Sequence, residues 1–169
     1  MYDRSFSLAG DLEIAAVAPT SAVAVQAMRA YICDVASSYY RRPATTAEVE
    51  AGLVQHPSAD LVPPTGLFLV ATDGHDVVGG CVALARVDHE VGEVRRLHVV
   101  AALRGLGLGR RLMLEVESRA RAMGLASLQL DTRSDLVESQ RLYESLGFRD
   151  TAPYSGGPFS DRWNRKDLT

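Results

Sequence analysis

The sequence predicts an α/β fold on a mixed sheet, and three observations carry that expectation. Apolar runs at 67–71 and 77–85 flank an Asp73–Gly74 turn, the signature of a hairpin. An alternating run at 93–100, a helical stripe at 107–123 and a second alternating run at 127–132 follow as a βαβ unit. No repeat or linker interrupts the chain of 169 residues, so residues 1–169 are expected to form one domain.

Each element has its own warrant. "DLEIAAV", 11–17, reads as the first strand. Val25, Met28, Ile32 and Val35 are spaced as a helix requires over 21–40, with Thr20 or Ser21 as its N-cap. Thr45 and Glu48 stand in capping-box spacing at the start of a short helix, 45–55, and Pro57, Pro63, Pro64 and Gly66 make 56–66 a loop. In 107–123, Leu108, Leu112, Val116, Ala120 and Met123 share one stripe, while Glu115–Arg119 and Glu117–Arg121 pair outside it and Gly124 ends the helix. Asp135 and Glu138 are expected to start a helix over 136–146 that Gly147 ends, and 148–154 and 161–168 read as strands. The order is β-α-α-β-β-β-α-β-α-β-β, with a right-handed crossover from 93–100 to 127–132.

Composition excludes several classes. With 47% apolar and 23% charged residues the chain reads as globular rather than disordered. No apolar run approaches the ~20 residues of a membrane span, and the N-terminal residues lack the order of a signal peptide, so no membrane and a cytoplasmic location are expected. Cys33 and Cys81 show no metal-ligand spacing, so two buried free thiols and no metal site are expected. A net charge of −3 disfavours nucleic acid as a partner. The arginine doublets 41–42, 95–96 and 110–111 suit forked contacts to phosphate, although a solvated surface doublet is the more frequent case.

The stretch "RRLHVVAALRGLGLGRRLM", 95–113, places three glycines where a strand turns into a helix. A helix N-terminus with bare backbone offers an anion its free N–H groups and positive dipole end, so a phosphate or pyrophosphate is the physical reading. Close packing of a tight turn is the alternative. A dinucleotide fingerprint fails because Arg110 or Leu112 stands where its third glycine belongs, although Asp131 sits where a ribose-binding acid would be. No phosphate loop of the G-K-[ST] kind occurs.

Residues 93–148 resemble the GCN5-related N-acetyltransferase (GNAT) superfamily. Arg104, Gly107 and Gly109 in "RGLGLG" match its [QR]-x-x-G-x-[GA] signature, "EVRRLHV" looks like its fourth strand, and "SQRLYESLGF" looks like its later helix and turn. The resemblance implies a single-domain acyl-CoA N-acyltransferase fold: a mostly antiparallel mixed sheet with flanking helices, in which 93–100 and 127–132 are a splayed parallel pair. It implies acetyl-CoA as co-substrate and an amine as acceptor. Its pyrophosphate would lie on Arg104, Gly105, Leu106, Gly107, Leu108, Gly109 and Arg110, and its pantetheine along the backbone of Leu97, His98 and Val99. The family's asparagine in the later helix is Leu136 here, leaving Ser139 or Gln140 to supply any contact from it.

The chemistry needs a neutral amine, a stabilised oxyanion and a protonated thiolate. The resemblance implies Glu93 as base and Tyr143 as general acid; Asp88, His89 and Glu90 in the turn before the strand are alternate bases, and a backbone N–H near Val99 is expected to meet the oxyanion. By the same analogy the acceptor meets Tyr31, Asp34, Tyr39, Tyr40, Tyr154, Phe159 and Trp163. Three readings follow: an enzyme acting on a small-molecule amine or amino acid, one acting on a protein N-terminus or lysine, and a non-catalytic acyl-CoA- or nucleotide-binding module. A homodimer is compatible with each.

Overall fold

A computed structural model describes residues 11–168. Its elements follow the expected order: β1 (Glu13–Ala16), α1 (Ala22–Tyr40), α2 (Thr46–Gln55), β2 (Gly66–Thr72), β3 (Val78–Arg86), β4 (Val91–Val99), α3 (Leu108–Ala122), β5 (Ser127–Thr132), α4 (Val137–Ser145), β6 (Arg149–Asp150) and β7 (Arg162–Asp167). The strands form one sheet in the order β1-β2-β3-β4-β5-β7-β6, and only β4 and β5 run parallel. Among the described residues no helix is long and apolar enough to cross a membrane.

Two cores sandwich the sheet. On one face α3 presents Leu108, Leu112, Met113, Val116 and Ala120, all buried, to Val82, Leu84, Val94, Leu128 and Leu130. Each such side chain contributes roughly 1.5–3 kcal/mol of transfer free energy, so this stripe anchors the helix and the loop ahead of it. On the other face α1 and α2 cover Phe68, Val70, Cys81 and Ala83. The buried side of α1 is Ala24, Ala27, Met28 and Ile32, whereas Val25 is exposed. Small alanines let the helix approach the sheet, and the expected stripe through Val25 is displaced accordingly.

The caps show where local chemistry holds. Ser21 Oγ accepts from Ala24 N, and Thr45 and Glu48 form both bonds of the capping box. α4 differs: its N-cap is Leu136 with no side-chain bond, because Asp135 is turned back onto Arg133. Three further expectations are corrected. Strand 148–154 shrinks to two residues, since Pro153, Gly156, Gly157 and Pro158 keep 151–160 irregular. Glu117 lies buried between Arg121 and Lys166 rather than outside the stripe. Cys33 is exposed; only Cys81 is buried.

Candidate functional site

β4 makes the site by parting from β5. The two strands pair only at Val91–Ser127, Gly92–Leu128 and Glu93–Gln129. Among the described residues the β4 edge facing β5 has no strand partner beyond Glu93, while β5 stays paired with β7 to Thr132. The cause lies in a bulge. Ala83 faces Arg95 and Cys81 faces His98, so Arg96 and Leu97 together oppose Val82, and Arg96 takes a left-handed φ of 60°. An extra residue bends the strand that carries it. It also shifts the alternation, so that His98 faces α1 while Leu97 and Val99 face the α3 core.

Arg96 holds the bulge in place. Its guanidinium donates to His56 O at 3.1 Å, Pro57 O at 2.8 Å and the Ser58 hydroxyl, and so straps the 56–58 loop over this part of the sheet. Burial lowers its pKa, opposed by the nearby Tyr31 hydroxyl.

The strand runs through one 3-10 turn, Ala101–Leu103, into the glycine loop and α3. Gly105 and Gly107 have φ of 75° and 85°, which side chains rarely adopt, and nothing lies within 4 Å of where a Cβ would stand on either. The first four N–H groups of a helix lack partners within it, and here they belong to Gly107, Leu108, Gly109 and Arg110. The loop is therefore an open cradle at a positive helix end, a fit for pyrophosphate. Gly109 does something else: a Cβ there would come within 3.3 Å of Leu142 Cδ2, so it lets α3 approach α4. The glycines thus divide between open backbone at 105 and 107 and close packing at 109.

A cleft of about 1980 Å³ follows the parted strands from this cradle to the α1 side. Small-molecule pockets usually measure ~300–1,000 Å³, so there is room for two reactants. Glu93, Leu97, His98, Val99, Arg104, Gly105, Gly107, Leu108, Gly109, Arg110, Ser139 and Tyr143 all line it. Leu106 does not: it projects outward, 58% exposed, so only its backbone belongs to the loop. Leu108 points its side chain into the α3 core. Ser139 lines the cleft, while Gln140 is spent on Arg133 O and Ser134 O. Asp88, His89 and Glu90 stand in the exposed turn before β4, outside the lining, with Asp88 accepting from the N–H groups of Glu90 and Val91.

The ionisable groups are unequally partnered. Glu93 accepts from Arg95 Nε and, at 3.3 Å, from Gln129 Nε2; Arg95 also reaches Asp60 at 3.0 Å. Tyr143 is buried edge-on against Phe148, and burial, helped by Tyr31 and Asp131, raises its pKa well above that of a free phenol. Arg104 turns away from the cradle, donating to Val99 O at 2.9 Å and to Asp34, which also bonds His98 Nε2.

The expected aromatic wall is only partly in the site. Tyr31, Asp34 and Phe159 line the cleft. Tyr39 packs on Phe159 at 5.0 Å and Tyr40 on Tyr39, outside the lining. Trp163 Nε1 donates to Ser155 Oγ at 2.8 Å, and Ser155 donates to Asp131 at 2.6 Å. Asp131 thus faces the α1 side of the sheet, with no nucleotide fingerprint for it to complete. Sequence reasoning missed Gln129, Ser155 and the strap made by Arg96; consecutive arginines breaking the alternation of β4 were the available signal.

Comparison with known proteins agrees with this geometry. The family model described as "Acetyltransferase (GNAT) family" matches residues 29–148. An uncharacterized N-acetyltransferase of Schizosaccharomyces pombe is 41% identical over 101 residues, 57% of this chain; the chain spans 60% of that relative's length. The fold matches a GNAT-family acetyltransferase from Staphylococcus aureus, with a TM-score of 0.75 at 17% identity over 94% of this chain and 99% of that one. It also matches a phosphinothricin acetyltransferase from Sinorhizobium meliloti in complex with AcCoA, at TM-score 0.66 and 19% identity over 94% and 89% of the two chains. A splayed β4–β5 pair, a glycine cradle and a family model spanning most of the sequence agree: the chain belongs to the GNAT acetyltransferase family.

Proposed function

We propose that the protein transfers the acetyl group of acetyl-CoA to a primary amine of a small molecule or amino acid, by direct attack within one cleft. The β4 edge left unpaired beyond Glu93, running into the open cradle at Gly105–Arg110, carries this reading. The backbone of Leu97, His98 and Val99 is placed to pair with the pantetheine amides as an added strand would. The N–H groups of Gly107 to Arg110 would hold the pyrophosphate.

When bound, the thioester supplies the acetyl carbon that the amine bonds as the carbon–sulfur bond breaks. The chain's residues move the protons. An alkylammonium with pKa near ~10 must lose a proton before it attacks, and a carboxylate of the cleft takes it, directly or through water. Glu93 is the family's candidate for that role, although Arg95 and Gln129 already engage both its oxygens. Tyr143, kept protonated by its raised pKa, donates to the leaving thiolate. A β4 amide near Val99 meets the oxyanion.

Thiol release from acetyl-CoA, measured across small amines, amino acids and peptides with a free N-terminus or lysine, tests the reading. Small amines are expected to react. Release with peptides alone would make it a protein acetyltransferase, and no release despite tight acetyl-CoA binding would make it a binding module.

A further inference from the structure

We infer that Asp131 is the residue that recognises the acceptor's ammonium group and takes its proton, an inference resting on the amine-acetylation reading above. Of the carboxylates lining the cleft, Asp34 is engaged by His98 and Arg104, Asp60 by Arg95 and Asp135 by Arg133, and Glu138 is exposed on α4; the parted strands themselves contribute one each, Glu93 and Asp131. Glu93 is neutralised by Arg95, and Arg95 by Glu93 and Asp60 together. Among the described residues Asp131 has no cation: its partner is the neutral Ser155 hydroxyl, at 2.6 Å, which is itself fixed by the Trp163 indole N–H at 2.8 Å. A half-buried carboxylate held by neutral donors keeps its charge available to a ligand, whereas one already paired does not.

Position agrees with charge. Asp131 lies on β5 two residues beyond Gln129, the last β5 residue that pairs with β4, so it stands where the gap opens. Burial raises the pKa of the Tyr143, Tyr31 and Tyr154 hydroxyls, and the Asp131 charge adds to each rise. Among the described residues the buried Tyr154 hydroxyl has no hydrogen-bond partner. The carboxylate lines the same cleft as the proposed proton donor to sulfur.

The proton ledger closes. Asp131 takes one proton from the ammonium, and the freed lone pair forms the carbon–nitrogen bond as the carbon–sulfur bond breaks. Tyr143 gives its proton to the thiolate and recovers one, through solvent, from the nitrogen. Asp131 returns its proton to solvent, so one proton is released for each amide formed.

Trp163 is the only tryptophan, and it is one hydroxyl removed from Asp131, so its fluorescence reports the site without turnover. The coenzyme A complex of wild type, Asp131→Asn and Asp131→Glu is titrated with ethylamine, 1,4-diaminobutane and glycine, with ethanol as uncharged control. Amine KM and kcat are then measured with acetyl-CoA, and thermal stabilisation by acetyl-CoA verifies each variant's fold. We expect a saturable change with the ammonium probes but not ethanol, lost in Asp131→Asn and partly restored in Asp131→Glu. Amine KM should rise at least tenfold in Asp131→Asn, with acetyl-CoA affinity within twofold of wild type. An unchanged amine KM and fluorescence response in Asp131→Asn, or no wild-type response, would overturn the role of Asp131. A wild-type response without acetyl transfer would leave the ammonium site standing and overturn the acetylation reading.

Discussion

Asp34 Oδ2 lies 2.7 Å from His98 Nε2, and the Arg104 guanidinium meets the same oxygen. This ties α1 to the free end of β4 and engages the signature arginine away from the cradle. On the proposed binding mode pyrophosphate recognition would then fall to backbone N–H groups, and two substitutions should differ accordingly. Arg104→Ala should weaken acetyl-CoA binding by less than tenfold. Gly107→Val, which forces a β-branched residue to φ 85° and fills the open cradle, should weaken it more than a hundredfold, by calorimetry. Comparable losses in the two would return the main phosphate contact to the arginine side chain.

Tyr143→Phe should lower kcat by one to two orders of magnitude with the KM for acetyl-CoA unchanged, since only a proton donor is removed. Because burial raises the Tyr143 pKa, kcat should show no falling limb from tyrosine ionisation between pH 7 and about 10. Full turnover in the variant would remove Tyr143 from the chemistry.

Alkaline stability follows from the same burial. Burial pushes the Cys81 thiol up to about 12 from 9.0 and the Tyr31 phenol up to about 12 from 10.0, against the opposing pull of Arg96. Groups with raised folded pKa values stay protonated in the native state while the unfolded chain releases protons. Stability is therefore fully present below the unfolded pKa and lost as pH rises toward the folded one, at ~1.4 kcal/mol per pH unit per group. The urea midpoint should hold from pH 7 to 8.5 and fall from about pH 9, with Cys81→Ala delaying the onset to about pH 10. A midpoint flat to pH 11 would contradict this.

Lys166, the only lysine, bonds the buried Glu117 across α3 and β7. Burial works to raise the Glu117 pKa, but hydrogen bonds from Lys166 and Arg121 hold it below the usual carboxylate value. Lys166→Met should destabilise by about 2–3 kcal/mol, since Glu117 keeps only Arg121, and adding Glu117→Met should recover part of that. Denaturant unfolding of the single and double variants measures it; a more stable single variant would overturn the argument.

Much of this was legible in the residues, and the limits have physical causes. Element order was readable because hydrophobic period and caps are local: the Thr45–Glu48 box and the α3 stripe are where spacing put them. The cradle was readable because positive φ leaves glycine little competition at 105 and 107. What failed depends on competition between neighbouring side chains or on contacts distant in sequence. Asp135 could have capped α4, but Arg133 engages it; Glu117 could have been solvated, but β7 brings Lys166 to it. The bulge left one trace: Val94 and Leu97 are three apart in a strand whose apolar face otherwise repeats every two. The placement of Asp131 beside Ser155 left none, because β7 and the 151–160 segment carry its partners back from the end of the chain.

The parted β4 edge and the glycine cradle together are proposed to hold acetyl-CoA. Calorimetric titration of the purified protein with acetyl-CoA, NAD and ATP decides it. Saturable one-site binding of acetyl-CoA at micromolar concentrations or below is expected, lost in Gly107→Val, with no comparable binding of NAD or ATP. Absence of acetyl-CoA binding, or equal affinity for all three, would contradict it.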